Sequence, residues 1–145
     1  MTSQRGRRPD FIVIGAAKAG TTSLDFYLGI HPEVSMVKPK ELRFFVDSSA
    51  FRGRWDQGVE WYENQFCTRK KFCGEASPQY THLPHVPERM AAVVPRAKWI
   101  YMVREPMARL QSDCLMAVRH GRCSGSFASY IDEHPYALKA SLYGK

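Results

Sequence analysis

The sequence predicts an α/β fold in which helices flank a parallel β-sheet. Along the 145 residues, short apolar runs alternate with amphipathic stretches, which is the pattern of strands that alternate with helices. The first run, residues 11–14, is apolar at every position, as expected for a strand that is covered on both faces. A glycine-containing turn at residues 15–20 follows and leads into a predicted helix, which Thr21 or Thr22 is expected to cap.

The same alternation continues to the end of the chain. The helix that follows the first turn runs through residues 24–28 and ends at His31, and a strand near 34–36 comes next. An aromatic-rich helical stretch at 51–66, a strand at 71–75, a helix at 87–94 and a second central strand at 99–103 are then predicted. The last predicted elements are a helix that includes Leu110, Cys114, Leu115 and Val118, and two short helices after a loop at 121–125. We expect residues 1–9 to form a flexible basic tail and residues 10–145 to form one domain.

Composition and charge narrow the class of partner. Hydrophobic residues make up 44% of the chain and charged residues 24%, as in soluble globular proteins. The net charge of +7 favours a polyanionic partner, such as a nucleotide, a sulfated or phosphorylated substrate, or nucleic acid. The apolar runs are too short to cross a membrane, and no nucleic-acid-binding module is recognisable. We therefore expect neither a membrane nor a nucleic acid as partner.

The cysteines argue against a metal site. Cys67, Cys73, Cys114 and Cys123 form no C-x-x-C pair and have no zinc-type histidine pattern beside them. The N-terminal segment is basic and polar, unlike a secretory signal. We predict free thiols, no metal and a cytoplasmic location.

The first predicted strand-to-helix turn, residues 15–23 (GAAKAGTTS), suits a phosphate. Such a turn aims backbone N–H groups and the positive end of a helix dipole at one point. Its G-x-x-x-x-G spacing is that of a P-loop, but Thr21 stands where a Walker A motif has lysine, and Lys18 lies inside the loop. This difference counts against ATP or GTP hydrolysis with magnesium. A glycine-rich turn without a ligand is the other interpretation of this segment.

The second such turn follows the apolar run at residues 99–103. Arg104 would lie at the carboxyl edge of the sheet, where open α/β folds bind ligands. Ser112 lies eight residues further along the chain, on the predicted helix. The two side chains could therefore contact one phosphate. Alternatively, Arg104 pairs with Glu105 or Asp113 at the surface.

Together, the two turns resemble a known family. Residues 17–24 (AKAGTTSL) resemble the 5′-phosphosulfate loop of sulfotransferases that use 3′-phosphoadenosine 5′-phosphosulfate (PAPS). Residues 103–106 (VREP), with Arg109 and residues 112–113, look like the 3′-phosphate motif of that family. Residues 74–80 (GEASPQY) are similar to the segment between these motifs in the carbohydrate and bacterial branches, nearer to heparan-sulfate-type enzymes than to cytosolic phenol and steroid types.

The resemblance implies a fold, a donor and a set of donor contacts. The implied fold is a P-loop-like three-layer α/β domain, and the implied reaction transfers a sulfuryl group from PAPS to a hydroxyl or amine without a metal. The residues that it assigns to the 5′-phosphosulfate are Lys18, Ala19, Gly20, Thr21, Thr22 and Ser23, with Lys18 on the transferring sulfonate. It assigns Arg104 and Ser112 to the 3′-phosphate, which the product 3′-phosphoadenosine 5′-phosphate (PAP) retains.

The same resemblance supplies a candidate base. Residues 38–45 (KPKELRFF) are similar to the segment in which the heparan-sulfate branch keeps a catalytic glutamate, and Glu41 occupies that position. The alternative is a surface glutamate in a lysine-rich loop. Arg43 stands where many relatives have histidine, and Ala76 where some have lysine. These two departures affect the prediction of the acceptor site more than that of the donor site.

Length is the largest departure from the family. Sulfotransferase domains usually continue well beyond this point, so we expect a domain that is incomplete at its C-terminus. Exposed core surface would then favour self-association. The leading hypothesis is a sulfotransferase that binds a sulfonucleotide and a hydroxylated carbohydrate or small metabolite. The alternatives are a truncated, non-catalytic PAP- or PAPS-binding module and a P-loop nucleotide kinase, against which Thr21 argues.

Overall fold

A computed structural model describes residues 6–66, 68–123 and 126–143. The chain forms two compact units, Met1–Met102 and Val103–Lys145. The first unit contains four strands, β1 (Phe11–Gly15), β2 (Val34–Met36), β3 (Phe72–Ala76) and β4 (Lys98–Tyr101), and three α-helices, α1 (Thr21–Ile30), α2 (Gly58–Asn64) and α3 (Val86–Val93). The second unit contains α4 (Pro106–Arg119), α5 (Phe127–Glu133) and α6 (Pro135–Lys139). Two 3₁₀ turns, Trp55–Gln57 and Pro78–His82, complete the assignment.

The four strands of the first unit form one parallel sheet. Their spatial order is β2-β3-β1-β4, and Val13 of β1 lies opposite Ala76 of β3 and Ile100 of β4. Because all four strands are parallel, their carboxyl ends share one edge of the sheet. The predicted α/β class with a parallel sheet is therefore confirmed.

Successive residues of β1 serve two different cores, because side chains alternate across a strand. Val13 packs with β2 and β3 residues and with Leu24 and Leu28 of α1 on one face. Ile12 belongs to a larger aromatic cluster on the other face, in which the rings of Phe44 and Tyr62 stack with centroids 4.3 Å apart. Elements packed on both faces make the three-layer arrangement that the resemblance implies.

Helical spacing places the buried residues of α3 and α4 on one face each. Val86, Met90 and Val93 recur along one side of α3 and join the aromatic cluster. In the second unit, Leu110 and Cys114 of α4 pack with residues of α5 and α6. Among the described residues, no helix is both long and apolar enough to span a bilayer.

Two local predictions are wrong. The sequence predicts that β4 is central, but among the described residues it pairs only with β1 and lies at the edge of the sheet, with Trp99 and Tyr101 each 46% exposed. The cap of α1 is Gly20 in the left-handed conformation, and no side chain caps this helix, so neither Thr21 nor Thr22 does so. A left-handed residue at this position turns the chain into the helix without a side-chain acceptor.

Most remaining elements agree with the sequence-based boundaries to within a few residues. The helical stretch predicted at 51–66 is shorter, since it comprises only a 3₁₀ turn and α2. Cys73, Cys114 and Cys123 are free and buried, as predicted, whereas Cys67 lies outside the described residues.

The predicted basic tail is only partly described, because residues 1–5 lie outside the described ranges. Arg7 donates hydrogen bonds to Asp10 and to two backbone carbonyls, and Arg8 donates to Glu63. This part of the predicted tail is therefore attached to the first unit.

Candidate functional site

The candidate site begins where β1 leaves the sheet. The β1–α1 loop, residues 16–20, connects Gly15 to the first residue of α1. The loop starts in register with β4, because Ala16 N–H donates to the Met102 carbonyl and Met102 N–H donates to that of Gly15, both at 2.8 Å. These two hydrogen bonds attach the start of the loop to the residue after β4, at the carboxyl ends of the strands.

The end of this loop leaves helix amides available. Gly20, at φ 94°, is the N-cap of α1 and offers no side-chain acceptor. The first intrahelical bond is donated by Leu24 N–H to the Gly20 carbonyl, so the N–H groups of Thr21, Thr22 and Ser23 have no acceptor within the helix. Uncapped amides at a helix N-terminus bind anions. The predicted residues 21–23 thus place their N–H groups at one helix N-terminus, directly after Gly20.

Lys18 and Ala19 lie within the same loop. Lys18 is half-buried and has φ 68°, a left-handed conformation that is unusual for a residue with a side chain. Ala19 is buried, and its N–H donates to the Ala16 carbonyl at 3.1 Å. The loop is thus a tight turn with one internal hydrogen bond and one lysine, on the chain segment that leads to the open amides.

Glu41 is anchored to the same edge of the sheet. Its backbone N–H donates to the carbonyl of Ala76, the last residue of β3, at 3.2 Å. Ala76 lies opposite Val13 of β1, two residues before β1 ends. Adjacent strands lie about 4.8 Å apart, so Glu41, which is bonded to the end of β3, and the β1–α1 loop lie at neighbouring strand ends. The structure brings these two predicted parts of the site to one edge.

The Glu41 carboxylate is surrounded by donors. Oε1 accepts a hydrogen bond from Lys40 Nζ at 3.2 Å. Oε2 accepts from Arg43 Nε at 3.1 Å, from a second Arg43 nitrogen, and from Gln79 Nε2 at 2.7 Å. Its backbone φ of 67° is again left-handed. A residue held in this way at a strained backbone position marks a candidate functional site.

These donors control the ionisation of Glu41. Burial raises the pKa of Glu41, but the hydrogen bonds from Arg43 and Gln79 and the charges of Lys40 and Arg43 together outweigh burial and hold the pKa below its ordinary value. The carboxylate is therefore ionised at neutral pH and can accept a proton. A lowered pKa also makes it a weaker base than an unpaired glutamate.

Gln79 is a site residue that the sequence analysis did not assign. It follows β3 in the 3₁₀ turn Pro78–His82, which places its amide beside Glu41. Its position inside the 74–80 motif was the only available indication, because 38 residues separate the two partners. Spacing along a chain does not reveal such a contact.

Glu75, the residue before the last of β3, has a structural environment instead. Its carboxylate is completely buried and accepts hydrogen bonds from Tyr62, Ser77 and Tyr80 at 2.8–2.9 Å. Burial raises the pKa of Glu75, and these hydrogen bonds oppose the increase. The group joins β3 to the aromatic cluster and is closed to a substrate.

Helix α1 is also joined to the segment that carries Glu41. Lys38 Nζ donates to Asp25 Oδ2 at 2.8 Å, and the Asp25 side chain is only 5% exposed. Asp25 lies one helical turn after Thr21, on the same face of α1. The ion pair therefore connects the helix that follows the β1–α1 loop with the segment that leads to Glu41.

The second unit carries Arg104 and Ser112 near and within α4. Arg104 is exposed and precedes the helix, and Ser112 is half-buried within it. The carboxylate of Glu105 accepts hydrogen bonds from Met107 N–H and Ala108 N–H, so Glu105 is the N-cap of α4. These two bonds lower the pKa of Glu105, burial opposes them slightly, and the charge of Arg104 adds to the lowering.

Arg109, which resembles part of the family's 3′-phosphate motif, is a buried structural residue within its unit. It is 1% exposed, and its guanidinium donates to Ser141 Oγ and to the Ala137 carbonyl, both at 2.7 Å. A longer contact of 3.4 Å reaches Asp113. Arg109 thus joins α4 to the C-terminal end of α6, and Asp113 pairs with Arg109.

Metal-binding geometry is absent from the residues that the structure describes. No three histidine, cysteine, aspartate or glutamate side chains in those ranges lie close enough together to hold an ion.

The parallel sheet and the glycine-containing turn at its carboxyl edge define a P-loop-like α/β protein. No family model matches the chain. The membrane-associated sulfotransferase kil1 of Dictyostelium discoideum is 37% identical over 106 residues, which are 70% of this chain and 21% of that protein. The bifunctional heparan sulfate N-deacetylase/N-sulfotransferase 3 of Homo sapiens is 33% identical over 141 residues, 94% of this chain and 15% of that protein.

A solved structure gives the same result. The sulfotransferase from Alicyclobacillus acidocaldarius superposes with a TM-score of 0.78 at 30% identity, over 91% of this chain and 59% of that one. The chain belongs to the sulfotransferase family. It spans about a fifth or less of the length of the two curated relatives. None of the three proteins is named as a nucleotide kinase or an inactive binding module, so those alternatives gain no support.

Proposed function

We propose that this chain is the donor-binding part of a PAPS-dependent sulfotransferase that acts on a carbohydrate or a small hydroxylated metabolite. The observation that carries the proposal is the shared edge of the sheet, which holds the open amides of α1, the loop with Lys18, and Glu41. The names of the relatives support a sulfuryl-transfer reaction. In this proposal, the open amides and Lys18 bind the anionic donor, and Glu41 accepts a proton.

The donor's 5′-phosphate would bind the α1 terminus. In this proposal, residues 20–23 donate backbone N–H groups to the phosphate oxygens, and the exposed hydroxyls of Thr22 and Ser23 are available for further bonds. Lys18 and the backbone of Ala19 border the sulfonate. The lysine charge offsets the negative charge that develops on the bridging oxygen as the bond to sulfur breaks.

The reaction itself needs no oxidant or reductant. The acceptor oxygen forms a bond to sulfur while the bond between sulfur and the bridging oxygen of PAPS breaks, and PAP leaves with that electron pair. The acceptor's proton passes to the Glu41 carboxylate, which is ionised because its donors lower its pKa. Gln79 and Arg43 would keep this carboxylate in a fixed orientation during the transfer.

The 3′-phosphate is assigned to the second unit by motif alone. Arg104 has a guanidinium suited to a forked contact with phosphate, and Ser112 adds a hydroxyl. The amides at the start of α4 are already partly used by Glu105, so side chains rather than the helix terminus would carry this contact. A cytoplasmic location and self-association stay predictions from the sequence.

A transfer assay tests the proposed function. The purified chain is incubated with [³⁵S]PAPS and a heparan-type polysaccharide, the acceptor class suggested by the name of the human relative. We expect label to appear in the polysaccharide, and Lys18→Ala to reduce this incorporation by about 1,000-fold. If PAP binds but no label is transferred to this polysaccharide or to a panel of small hydroxylated acceptors, a non-catalytic binding module is the better description.

A further inference from the structure

The amino-terminal ends of the strands, opposite the candidate functional site, border a cleft that the proposed reaction does not use. It has a volume of about 870 Å³ and lies where the strands begin, so it is separated from the β1–α1 loop by the length of β1. Its lining includes Arg8, Asp10, Phe11, Phe72, Arg96 and Lys98. This volume lies within the range of about 300–1,000 Å³ that is usual for small-molecule sites.

Apolar side chains form most of the wall. The ring of Phe72, at the first position of β3, is 39% exposed although the next four residues of the strand are buried. The ring of Phe11 lies over Gly74, since a Cβ at Gly74 would come within 2.4 Å of its Cε2 atom. Two aromatic rings therefore lie at the starts of adjacent strands, because Phe11 pairs in register with Gly74 of β3. Such a wall suits a planar apolar body.

The floor of the cleft is fixed by the residue before β1. Asp10 N–H donates to the Cys73 carbonyl, and the Asp10 carbonyl accepts from Lys98 N–H, both at 2.8 Å. Asp10 Oδ2 accepts hydrogen bonds from Cys73 N–H at 2.7 Å and from Arg7 at 2.6 Å. The backbone around the cleft is therefore preformed, and Arg7 balances the charge of the Asp10 carboxylate.

The charges on the rim favour an anion. Three lining residues are cationic and one is acidic. Arg8 is engaged, because its Nε donates to Glu63 at 2.8 Å. In the ranges that the structure describes, no salt bridge joins Arg96 or Lys98 to a carboxylate, and both residues are exposed. These two side chains can pair with a ligand without giving up an internal partner.

We propose that this cleft is a second binding site, which takes a planar aromatic anion bearing a sulfonate, sulfate or carboxylate group. The aromatic body packs against Phe72 and Phe11, while Arg96 and Lys98 neutralise the acidic group. The cleft is lined neither by the β1–α1 loop nor by Glu41, Arg43 or Gln79, so binding there does not depend on sulfuryl transfer.

The probe for this site is 8-anilinonaphthalene-1-sulfonate, an aromatic sulfonate whose fluorescence increases in apolar surroundings. We expect saturable binding to the folded full chain that excess PAP does not displace. Arg96→Glu and Phe72→Ala should each weaken binding about fivefold, as expected for loss of one exposed charge contact or part of an apolar wall. The matched controls are Lys139→Glu in α6 and Phe26→Ala in α1, both exposed and outside the cleft.

Circular dichroism and thermal melting first confirm that each variant is folded. Two variants of different chemistry keep the test decisive if one of them is unstable. Unchanged dye affinity in a folded Arg96→Glu or Phe72→Ala variant would overturn the proposal, and so would complete displacement of the dye by PAP, which would place the dye in the donor site.

Discussion

The chain contains two turns that lead into helices after a strand, and they treat the helix amides in opposite ways. At α1, Gly20 caps the helix with no side chain, so the first amides stay available for a ligand. At α4, the carboxylate of Glu105 accepts from two of these amides, and Pro106 at the first position has none to offer. The first turn therefore has no side-chain cap, whereas the second is capped by its own Glu105.

A shared strand–turn–helix pattern therefore does not imply a shared mode of binding. An anion at the first turn would be bound mainly by backbone N–H groups, which cannot be removed by point mutation. An anion at the second turn would depend on Arg104 and Ser112, which can. The variants below should separate these two modes.

The largest effect is expected from the lysine of the first turn. Lys18→Ala should reduce sulfuryl transfer by about 1,000-fold, because it removes the loop's charge from the developing negative charge of the transition state. PAP, which lacks the sulfonate, should lose much less affinity. Transfer from [³⁵S]PAPS and calorimetry with PAP measure the two quantities. Lys139→Ala, at an exposed lysine of α6 outside the proposed site, is the control, and unchanged turnover in Lys18→Ala would remove Lys18 from the mechanism.

Glu41→Gln should reduce turnover by about 100-fold, because a carboxamide cannot accept the acceptor's proton. PAP affinity should be unchanged. Since the pKa of Glu41 is lowered, its base form persists as the pH falls, and the wild-type rate should not decline on the acid side until the pH is below the ordinary carboxyl range near 4.3. A rate profile that falls at pH 6–7 with Glu41 as its source, or a fully active Glu41→Gln variant, would contradict this role.

The second turn is tested by comparing two nucleotides. Arg104→Ala should weaken PAP binding by about tenfold or more, the usual value for losing a charged hydrogen bond, but should hardly affect adenosine 5′-phosphosulfate, which lacks the 3′-phosphate. Arg119→Ala, exposed at the end of α4, is the matched control. Equal losses for both nucleotides would show that Arg104 does not contact the 3′-phosphate.

A backbone substitution tests the first turn. Gly20→Ala places a side chain at φ 94°, at a cost of about 1 kcal/mol, and should lower PAP affinity about fivefold by disturbing the open amides. Gly58→Ala is a close control, because Gly58 has φ 79° in the same unit and nothing lies within 4 Å of the added Cβ. Equal PAP affinities in these two variants would argue against binding at the α1 terminus.

The smallest effect concerns the stability of the second turn. Glu105→Ala removes the α4 cap and should lower the melting temperature, whereas Glu133→Ala at the end of α5 should not. Because folding lowers the pKa of Glu105, the cap stabilises above the ordinary carboxyl pKa and its contribution is lost as the pH falls through the lowered value. The melting temperatures of the two variants should therefore differ most near neutral pH. A difference that stays constant down to strong acid would show that the cap does not depend on ionised Glu105.

The first turn could be predicted from sequence because its determinants are local. An apolar run, two glycines and a following helix lie within twenty residues. The strand, turn and helix that they form depend on few contacts with distant residues. The same holds for the cap of α4 in principle, since Pro106 at the first helical position indicates that Glu105 is the N-cap. The cap at Gly20 was missed because threonine and glycine are both acceptable there, and only the backbone conformation decides between them.

Tertiary contacts explain the remaining differences. The edge position of β4 depends on which strands pair, and an apolar strand sequence does not carry that information. Gln79 meets Glu41, and Arg109 meets Ser141, across 38 and 32 residues. The burial of Arg109 shows that an arginine within a motif can stabilise the fold.

We expect the β1–α1 turn to bind a sulfonucleotide with its open amides, and calorimetric titration of the folded chain with PAP, with ATP as the control, measures this binding. PAP should bind saturably at one site and ATP little or not at all, because Thr21 replaces the lysine that a Walker A motif places on the β- and γ-phosphates. Absence of PAP binding, or equal affinity for ATP, would contradict it.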